Sequence, residues 1–487
     1  MVSDAVEGLE PEAFWRHFAA MTTIPRPSRQ EDRIAAHVLR WAGERGLAAR
    51  TDEAGNLAVE LPATAGRESA ATVVLQGHLD MVCERDPGSA YDAAEGRIRL
   101  VRDGDWLAAD GTTLGADDGV AVAAMLALAE DESLPHGPLE LLMTVAEEVG
   151  LEGANALDPS LVTGSILVNL DSEEDGTLTI GCSGSVDSWL RLQVEREPLG
   201  NRPALAVALS GGKGGHSGIN IADGRANAIK ALGRILREAR DTAAFRLVSF
   251  DGGKTRNAIP RDAGAVVVAE DEQAFRVAVE EASAAVRESY AEADPGLRLS
   301  LDAAAAAGDA WTDEATRRLL DVVALVPSGP LAMSAEFDGV PETSSSLGVA
   351  TTDGAEVVLQ SLTRTANLAS LPDVLGALAA LARLGKGTFE VKPNYPGWRP
   401  NLDSPLLEAA RRVYAATFGR EAAVSTIHAG LEPSVIAGRV GRPLDMIAIG
   451  PQVDFPHSPD ERLSIPSVMR FWRLLTALLD ELSKPGG

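Results

Sequence analysis

Cysteine is scarce in this sequence, since its 487 residues include only Cys83 and Cys182. Two cysteines exclude a disulfide framework and a zinc site built from several thiolates. Basic residues are also few: 44 lysines and arginines stand against 71 aspartates and glutamates, and the net charge is −27. No run of basic residues occurs, which argues against nucleic acid as a partner.

Long apolar runs are lacking as well. The first ten residues contain neither a basic nor an apolar segment, so the sequence predicts no signal peptide. The apolar stretch at residues 120–128 is too short to span a bilayer and ends in Glu130 and Asp131. We therefore expect a cytoplasmic protein without membrane contact.

The first third of the chain alternates helix and strand patterns. Residues 72–75, 139–145 and 165–170 are short apolar runs of the kind found in buried strands, and residues 119–129 are typical of a helix. The spacing Ser28-x-x-Glu31 predicts a capping box at the start of an earlier helix. Such alternation is typical of a layered α/β domain.

The middle of the chain has a different pattern. Strand-like segments there are separated by charged helix-like segments, which predicts a separate α+β insert. It contains a weak internal echo, because a polar turn followed by an Ala/Leu-rich helix occurs at residues 211–237 and again near 366–384. The chain then returns to strand–loop–helix order, and Pro466 opens a final helix.

Histidine and acidic residues follow the predicted strands of the first third or precede its helices. The carboxyl ends of strands in an open α/β sheet are where sites gather. Taken singly, each residue has a simpler interpretation as a capping, turn or surface residue. Several strands that end in metal-competent residues are harder to explain in that way. The residues are His78, Asp80, Asp117, Glu147, Glu148, Asp171 and, before the last helix, His457.

Imidazole and carboxylate ligands without thiolates suit zinc, and also cobalt or manganese. Two histidines and three carboxylates serve two metals only if one carboxylate bridges them, and Asp117 is the candidate bridge. The pair Glu147 and Glu148 offers one carboxylate for metal and one for proton transfer. Asp80 lies two residues after His78, so it points to the same side of a strand and could accept the other imidazole N–H.

Motifs spread along the chain give these residues a context. Together they resemble those of the di-zinc aminoacylase and carboxypeptidase superfamily and, within it, the aminoacyl-histidine dipeptidase (Xaa-His dipeptidase, carnosinase-like) family. The matches run in order from about residue 20 to the end, and the set is specific where a single motif is not. The motifs are QGHLDMV at 76–82, GADDG at 115–119, AEEVGLEG at 146–153, NLD at 169–171, GGHSG at 214–218, RNAIP at 256–260, YPGW at 395–398, HAGLE at 428–432 and PHSPDE at 456–461.

The resemblance implies a role for each matching residue. One zinc would be bound by His78, Asp117 and Asp171, and the other by Asp117, Glu148 and His457. Glu147 would be the general base. The peptide bond between Asp117 and Asp118 would be cis.

Residues of the insert would contact the substrate. His216 would stabilise the oxyanion, and Asn257 and Arg364 would hold the C-terminal carboxylate. Without the resemblance, His216 is a plain loop residue, Asn257 a turn residue and Arg364 an exposed strand charge. Glu432 would recognise an amino group or be structural.

The implied fold is a three-layer α/β/α catalytic domain, from residues 1–186 and 391–487, with an α+β lid inserted at residues 187–390. The implied activity is hydrolysis of dipeptides of the Xaa-His type by two zinc ions. Glu432 is followed by Pro433 and Ser434, which departs from the family pattern and leaves the preference for a C-terminal histidine open. Alternatives are a related N-acyl amino acid deacylase or tripeptidase, and a catalytically silent metal-binding protein. The chain could act as a monomer or a homodimer.

Overall fold

The computed structural model describes residues 4–94 and 97–484. The expectation of no signal peptide rests partly on residues 1–3, which lie outside the described residues. Two compact units are formed. The first consists of Met1–Gly181, Trp398–Thr426 and Leu431–Gly487, and the second of Cys182–Gly397 and Ile427–Gly430.

Both units contain helices and strands. The helices are α1 (Glu12–Met21), α2 (Asp32–Glu44), α3 (Ala116–Glu130), α4 (Glu152–Ala156), α5 (Ala228–Ala239), α6 (Glu272–Ser289), α7 (Asp313–Leu325), α8 (Leu371–Leu384), α9 (Pro405–Phe418), α10 (Glu432–Val440) and α11 (Ile465–Leu482). The strands are β1 (Ala48–Thr51), β2 (Leu57–Leu61), β3 (Val73–His78), β4 (Leu100–Asp103), β5 (Trp106–Ala109), β6 (Leu139–Thr144), β7 (Ile166–Asn169), β8 (Thr177–Cys182), β9 (Gly184–Gln193), β10 (Arg196–Ser210), β11 (Gly215–His216), β12 (Phe245–Gly252), β13 (Ala258–Ile259), β14 (Ala263–Ala269), β15 (Arg298–Trp311), β16 (Gly329–Met333), β17 (Pro341–Asp353), β18 (Glu356–Thr365), β19 (Gly387–Tyr395), β20 (Ala423–Ile427), β21 (Asp445–Ala448), β22 (Val453–Asp454) and β23 (Arg462–Ser464). None of the described helices is long and apolar enough to cross a membrane.

The first unit is built on an eight-stranded sheet in the order β1-β2-β6-β3-β7-β21-β8-β20. Strands β3 and β6 are buried at all six positions, and β3 runs parallel to both β6 and β7. Three carboxyl ends therefore meet at one edge of the sheet. Helix α3 is apolar on all sides and packs against α1 and β3, which explains why it shows no amphipathic pattern. The expected α/β class is confirmed.

The second unit contains a nine-stranded antiparallel sheet in the order β15-β10-β14-β12-β17-β18-β9-β19, with β16 paired to β17. Eight of its strands and four helices form two βαββαβ halves, and β11, β13 and β16 lie outside this pattern. The inner half runs β10-α5-β12-β14-α6-β15, and the outer half runs β9-α7-β17-β18-α8-β19 with the inner half inserted after β9. Each half has its strands in the spatial order 4-1-3-2, and their second strands meet where Gly252 pairs with Ala350.

The echo seen in the sequence joins helices that are not equivalent. Helix α5 is the first helix of its half, whereas α8 is the second helix of the other half. The repetition lies in the topology, where α5 corresponds to α7 and α6 to α8. Helix packing on a sheet needs only an apolar face, so the helices of the two halves are free to differ in sequence.

The boundaries and one cap differ in detail from those that the sequence predicts. The sequence predicts boundaries after residues 186 and 390, whereas the chain enters the second unit at Cys182 and leaves it at Gly397. The exit is later because β19 pairs with β9 along nearly its whole length. The predicted capping box at Ser28 is wrong: α2 begins at Asp32, and the Ser28 hydroxyl donates to Asp80.

Candidate metal centre

Loops at the carboxyl edge of the first sheet bring the predicted ligands together. His78 ends β3, Glu148 follows β6, and Asp171 lies two residues after β7. Asp117 lies in the first turn of α3, and His457 lies between β22 and β23. Residues from five separate segments of the first unit thus converge.

Asp117 lies between the two imidazoles. Its Oδ1 is 2.9 Å from His78 Nε2, and its Oδ2 is 2.9 Å from His457 Nε2. The same His457 nitrogen lies 3.0 Å from Glu148 Oε2, and His78 Nε2 lies 3.7 Å from Asp171 Oδ1. A carboxylate that faces one imidazole with each oxygen is arranged as a bridge between two cation sites. The Asp117–Asp118 peptide bond is cis, as the resemblance implies.

Asp118 is close enough to His78 and Asp171 to be considered as a ligand, since one oxygen or nitrogen of each lies within 4.8 Å of the others. However, its Oδ2 accepts from the backbone N–H of His78 at 3.1 Å, and its Oδ1 accepts from that of Ala121 at 3.2 Å. Both oxygens therefore hold the backbone, and Asp117 is the better ligand.

The donor set fits divalent cations of the zinc type. It consists of two imidazole nitrogens and several carboxylate oxygens, without thiolates. Ligand atoms also lie within 4.8 Å of one another in two further groups, which are His78 with Glu147 and Glu148, and Asp117 with Glu148 and His457. Glu148 Oε1 is buried and has no hydrogen-bond partner. A buried carboxylate oxygen without a donor is costly, and a cation removes that cost.

The acidic groups repel one another at this site. Burial, together with the charges of Asp118 and Asp117, raises the pKa of Asp171 well above its ordinary value. Burial likewise raises the pKa of Glu147, with Glu148 and Glu432 adding to the effect. Burial would raise the pKa of Asp117 too, but its bonds to His457 and His78 lower it. Several buried carboxylates that favour protonation make a site that gains from binding positive charge.

Asp80 organises the site from behind His78. Its Oδ1 lies 3.4 Å from His78 Nδ1, and its two oxygens accept from the backbone N–H groups of Glu147 at 3.0 Å and Glu148 at 3.2 Å. Burial opposes its ionisation, but the bonds from His78, Ser28 and Glu147 lower its pKa to about 2. Asp80 therefore fixes one imidazole and the pair of glutamates at once.

Glu461 holds the segment that carries Asp117. Its carboxylate accepts from the backbone N–H groups of Leu114, Gly115, Ala116 and Asp117 at 2.7, 2.9, 2.8 and 3.3 Å. Sequence reasoning gave Glu461 no role, although it ends the motif that contains His457. The four-residue spacing from His457 was the available signal.

The profile of peptidase family M20/M25/M40 matches residues 74–481, which includes every proposed ligand from His78 to His457. The chain belongs to peptidase family M20/M25/M40. The family resemblance inferred from the motifs is thus confirmed.

Relatives of this M20/M25/M40 peptidase cover nearly its whole length. It is 38% identical over 481 residues to the cytosol non-specific dipeptidase of Escherichia coli (strain K12), with 97% of this chain and 98% of that protein covered. It is similar to the crystal structure of the aminoacylhistidine dipeptidase from Vibrio alginolyticus, with a TM-score of 0.85, 34% identity and coverage of 98% and 97%. A tripeptidase from Staphylococcus aureus shares the fold at a TM-score of 0.58 and 16% identity, with 98% of this chain and 100% of that chain covered.

Glu173 is a further acidic group near the ligands of this peptidase that sequence reasoning missed. Burial and the nearby charge of Asp117 raise its pKa to about 8. It lies two residues beyond Asp171, and only the adjacent motif pointed to it.

Glu432 lies beneath the sheet edge and is fully buried. Its Oε2 accepts from Gln76 Nε2 and from Thr144 Oγ1, the latter at 2.6 Å, and Gln76 Oε1 accepts from Asn169 at 2.7 Å. Its Oε1 is buried without a hydrogen-bond partner. Burial raises the pKa of Glu432 to about 7.

The remaining predicted residues of this peptidase belong to the second unit. His216 lies on β11, which pairs with β13, and the backbone N–H of Ser217 donates to Asn257 O at 2.8 Å. The Asn257 side chain is exposed. Arg364 lies on β18 with 3% of its surface exposed, so its interpretation as an exposed strand charge is wrong. Arg364 Nη2 lies 3.0 Å from His216 Nε2.

Proposed function

We propose that this chain is a dipeptidase that binds two zinc ions and uses Glu147 as the general base. One observation carries the proposal: each oxygen of Asp117 lies 2.9 Å from a histidine Nε2, with Glu148 beside one of the two histidines. Family membership and the names of the relatives from Escherichia coli and Vibrio alginolyticus support dipeptide hydrolysis. Cobalt or manganese would suit the same donors.

The residues divide into two ligand sets that share Asp117. His78 and Asp171 complete one set, and Glu148 and His457 complete the other. When bound, the ions would polarise the scissile carbonyl and lower the pKa of a water molecule from about 15.7 to about 7. The protein positions the ligands through Asp80 and Glu461, whose carboxylates hold the backbone of the ligand-bearing segments.

Glu147 would take a proton from the attacking water and pass it to the leaving amine. Its backbone N–H donates to Asp80, so the residue is held at the edge of the ligand cluster. Burial and neighbouring carboxylates raise its pKa, which makes it a stronger base than an exposed glutamate. A nearby cation would return it to the ionised form.

Residues of the second unit would contact the oxyanion and the C-terminal carboxylate of the substrate. His216 would donate to the oxyanion, and Asn257 and Arg364 would bind the C-terminal carboxylate. No described carboxylate forms an ion pair with Arg364, although this guanidinium is buried. The buried Asp187 is close enough that the charge of Arg364 opposes the rise in its pKa caused by burial, but Asp187 forms its ion pair with Arg256. The buried guanidinium of Arg364 therefore still favours an anionic ligand.

Glu432 has two possible roles that its surroundings support in different ways. Its bonds to Gln76 and Thr144 support a structural role beneath β3 and β6. Its partnerless Oε1 supports contact with the amino group of the substrate. A Glu432→Gln variant separates them, because loss of amino-group recognition raises the Michaelis constant, whereas a structural role lowers thermal stability.

Glu147→Ala tests the general-base assignment. The variant should retain about two zinc ions per chain, because its ligands are intact, while turnover of a dipeptide falls by roughly 10²–10⁴-fold. Zinc content and steady-state kinetics measure both quantities. Glu44→Ala, on the exposed surface of α2, is the control and should behave as the unchanged protein. Dipeptide hydrolysis by Glu147→Ala at the unchanged rate would refute the assignment.

The choice among substrates is tested by comparing rates. A set of dipeptides, tripeptides and N-acetylated amino acids offered to the metal-reconstituted protein distinguishes a dipeptidase from a tripeptidase or a deacylase. Alanyl-histidine against other dipeptides decides whether a C-terminal histidine is preferred. Absence of turnover with every substrate would favour the catalytically silent alternative. We place the activity in the cytoplasm, as the name of the Escherichia coli relative supports, with the chain as a monomer or homodimer.

A further inference from the structure

The guanidinium of Arg364 contacts two neutral side chains, those of Tyr395 and His216. Its Nη1 donates to the Tyr395 hydroxyl at 2.8 Å, while its Nε is buried without a hydrogen-bond partner. Its Nη2 faces His216 Nε2 at 3.0 Å. In a guanidinium, Nε and Nη2 form one edge that can bind both oxygens of a carboxylate, and Nη1 points away from that edge. Tyr395 therefore occupies the one nitrogen that a side-on carboxylate does not need.

The register of the sheet places the tyrosine there. Ser185 on β9 pairs with Arg364 on β18 and with Tyr395 on β19. Directly paired residues on antiparallel strands point to the same face, so Arg364 and Tyr395 lie on one face of three adjacent strands. Strand pairing thus brings the phenol to the guanidinium across a separation of 31 residues in the chain.

Two glycines leave room for this arrangement. A Cβ on Gly430 would lie 2.5 Å from Tyr395 Cε2, so the ring packs directly on the backbone there. A Cβ on Gly218 would lie 2.0 Å from His428 O and 3.0 Å from Arg364 Nε. The glycines keep the ring in place and keep space beside Nε.

The neighbouring histidines do not compete for the guanidinium as anions would. His216 Nδ1 accepts from the backbone N–H groups of Gly218 and Ile219 at 3.3 and 3.2 Å, which assigns the proton of the neutral ring to Nε2. His428 is kept neutral, because burial and the charge of Arg364 lower its pKa to about 3.

We infer that Tyr395 is a positioning residue, whose hydroxyl orients Arg364 so that the Nε–Nη2 edge binds the C-terminal carboxylate of the substrate. This inference rests on the proposed function of Arg364 as the carboxylate clamp. It assigns a role to the Tyr-Pro-Gly-Trp motif at residues 395–398, which the proposed reaction otherwise leaves unused. The tyrosine acts only through the arginine.

Tyr395→Phe removes the hydroxyl and keeps the ring. With alanyl-histidine, the Michaelis constant should rise roughly tenfold, while the turnover number changes less than about twofold. With alanyl-histidinamide, which has no terminal carboxylate, the variant should match the unchanged enzyme. Tyr290→Phe, in the same unit and packed against its apolar core, is the matched control. Thermal unfolding of each variant checks that it is folded.

The variant Arg364→Lys tests whether the effect of Tyr395→Phe on the Michaelis constant is transmitted through Arg364. Lysine has no Nη1 for the tyrosine to hold, so adding Tyr395→Phe to it should change the Michaelis constant less than about twofold. An equal rise for the acid and the amide, a loss of turnover alone, or a full effect in the lysine background would overturn the inference. A normal Michaelis constant in Arg364→Lys and Arg364→Ala would instead refute the carboxylate clamp itself. A tenfold effect of Arg364→Ala with none of Tyr395→Phe would leave the clamp standing and reject Tyr395.

Discussion

Glu461 shows how a residue outside the proposed ligand set can determine the position of a proposed ligand, Asp117. Its two oxygens accept from four successive backbone N–H groups that end at Asp117. The φ and ψ angles of Asp117 and Asp118 are not helical, so these donors precede the regular part of α3. Burial raises the pKa of Glu461, and the backbone hydrogen bonds oppose that rise. Asp117 therefore faces both histidines because its backbone is anchored, not only because of its own side chain.

Glu461→Gln should weaken metal binding by roughly 10–100-fold, since an amide offers one acceptor oxygen instead of two and turns a donor toward the backbone N–H groups. Competition with a chromophoric chelator measures the affinity, and excess zinc should restore part of the activity. Glu408→Gln, on the exposed face of α9, serves as the control. Unchanged affinity in Glu461→Gln would show that Asp117 is held by other contacts.

The free energy of unfolding should depend on pH through His428 in the second unit. Its Nε2 lies 2.7 Å from Ser344 Oγ, and burial, with the charges of Arg364 and His216, lowers its pKa from 6.5 to about 3. The unfolded chain binds a proton below pH 6.5 that the folded protein does not bind. Stability is therefore present above pH 6.5 and is lost as the pH falls from 6.5 toward 3.

His428→Asn should reduce this dependence. Between pH 7 and pH 5 the unchanged protein should lose about 2 kcal/mol more of its free energy of unfolding than the variant does. Urea unfolding followed by circular dichroism measures the difference. A chelator in all samples excludes a contribution from metal release. Parallel losses in the two proteins would mean that His428 is not held neutral.

The proposed metal ligands could be predicted from the sequence, because their residue types and local patterns indicate their role. Residues whose role depends on a contact with a distant part of the chain could not. His78, Asp117 and Asp171 could be found because each ends a strand pattern or begins a helix pattern. Tyr395 could not, since its partner Arg364 is reached only through strand pairing. Ser28 was misread for the same reason: its hydroxyl bonds to Asp80, which lies 52 residues further along the chain.

Strand β3 approaches α3 so closely that one position tolerates no side chain. A Cβ on Gly77 would lie 2.3 Å from Asp118 Oδ2 and 2.4 Å from Ala121 Cβ. The residue after Gly77 is His78, and the Asp118 carboxylate accepts from the backbone N–H of that histidine. The close packing of these two elements therefore sets the position of a proposed metal ligand.

Gly77→Ala should destabilise the protein by about 1–3 kcal/mol, because the added methyl group overpacks a buried contact. Metal affinity should fall together with stability, as β3 moves away from α3. Denaturant unfolding and zinc titration measure the two effects. Gly43→Ala in α2, where a Cβ would meet nothing within 4 Å, should instead stabilise slightly. If both variants behaved alike, the contact at Gly77 would not be as tight as described.

Strands with a continuous apolar sequence could be predicted, but the way in which strands pair in the sheets could not. The buried strands β3, β6 and β7 lie within a few residues of the predicted runs because a covered sheet demands continuous apolar sequence. The arrangement of the second unit as two nested halves was not predictable, because the echo in the sequence joins α5 and α8, which are not equivalent helices. Its exposed strand β15 carries mostly small residues, which have no marked strand preference.

The negative charge of the molecule is costly mainly where carboxylates are buried close together. A net charge of −27 is mostly exposed to water, but several carboxylates of the first unit are buried beside one another. Burial and, to a smaller extent, repulsion by neighbouring carboxylates raise the pKa values of Glu147, Asp171 and Glu173. A divalent cation bound at this place should therefore stabilise the folded chain as a whole.

Removal of metal should abolish activity and lower the thermal midpoint by on the order of 5 °C, since binding at a hundredfold excess over the dissociation constant contributes about 2.7 kcal/mol. Differential scanning calorimetry of chelated and zinc-loaded protein measures the shift. Sodium at the same ionic strength is the control and should not raise the midpoint. Equal midpoints with chelator and with zinc would argue against a metal centre among these residues.

The two nested halves of the second unit have their chain ends side by side. Arg196 at the start of the inner half pairs with Trp311 at its end. The outer half closes in the same way, because a Cβ on Gly184 would lie 2.4 Å from Gly397 N. The first and last residues of each half therefore lie next to each other. One half could therefore arise by duplication and insertion of a gene segment without a change in the path of the surrounding chain. The same junctions are suitable sites for removing or inserting such a half.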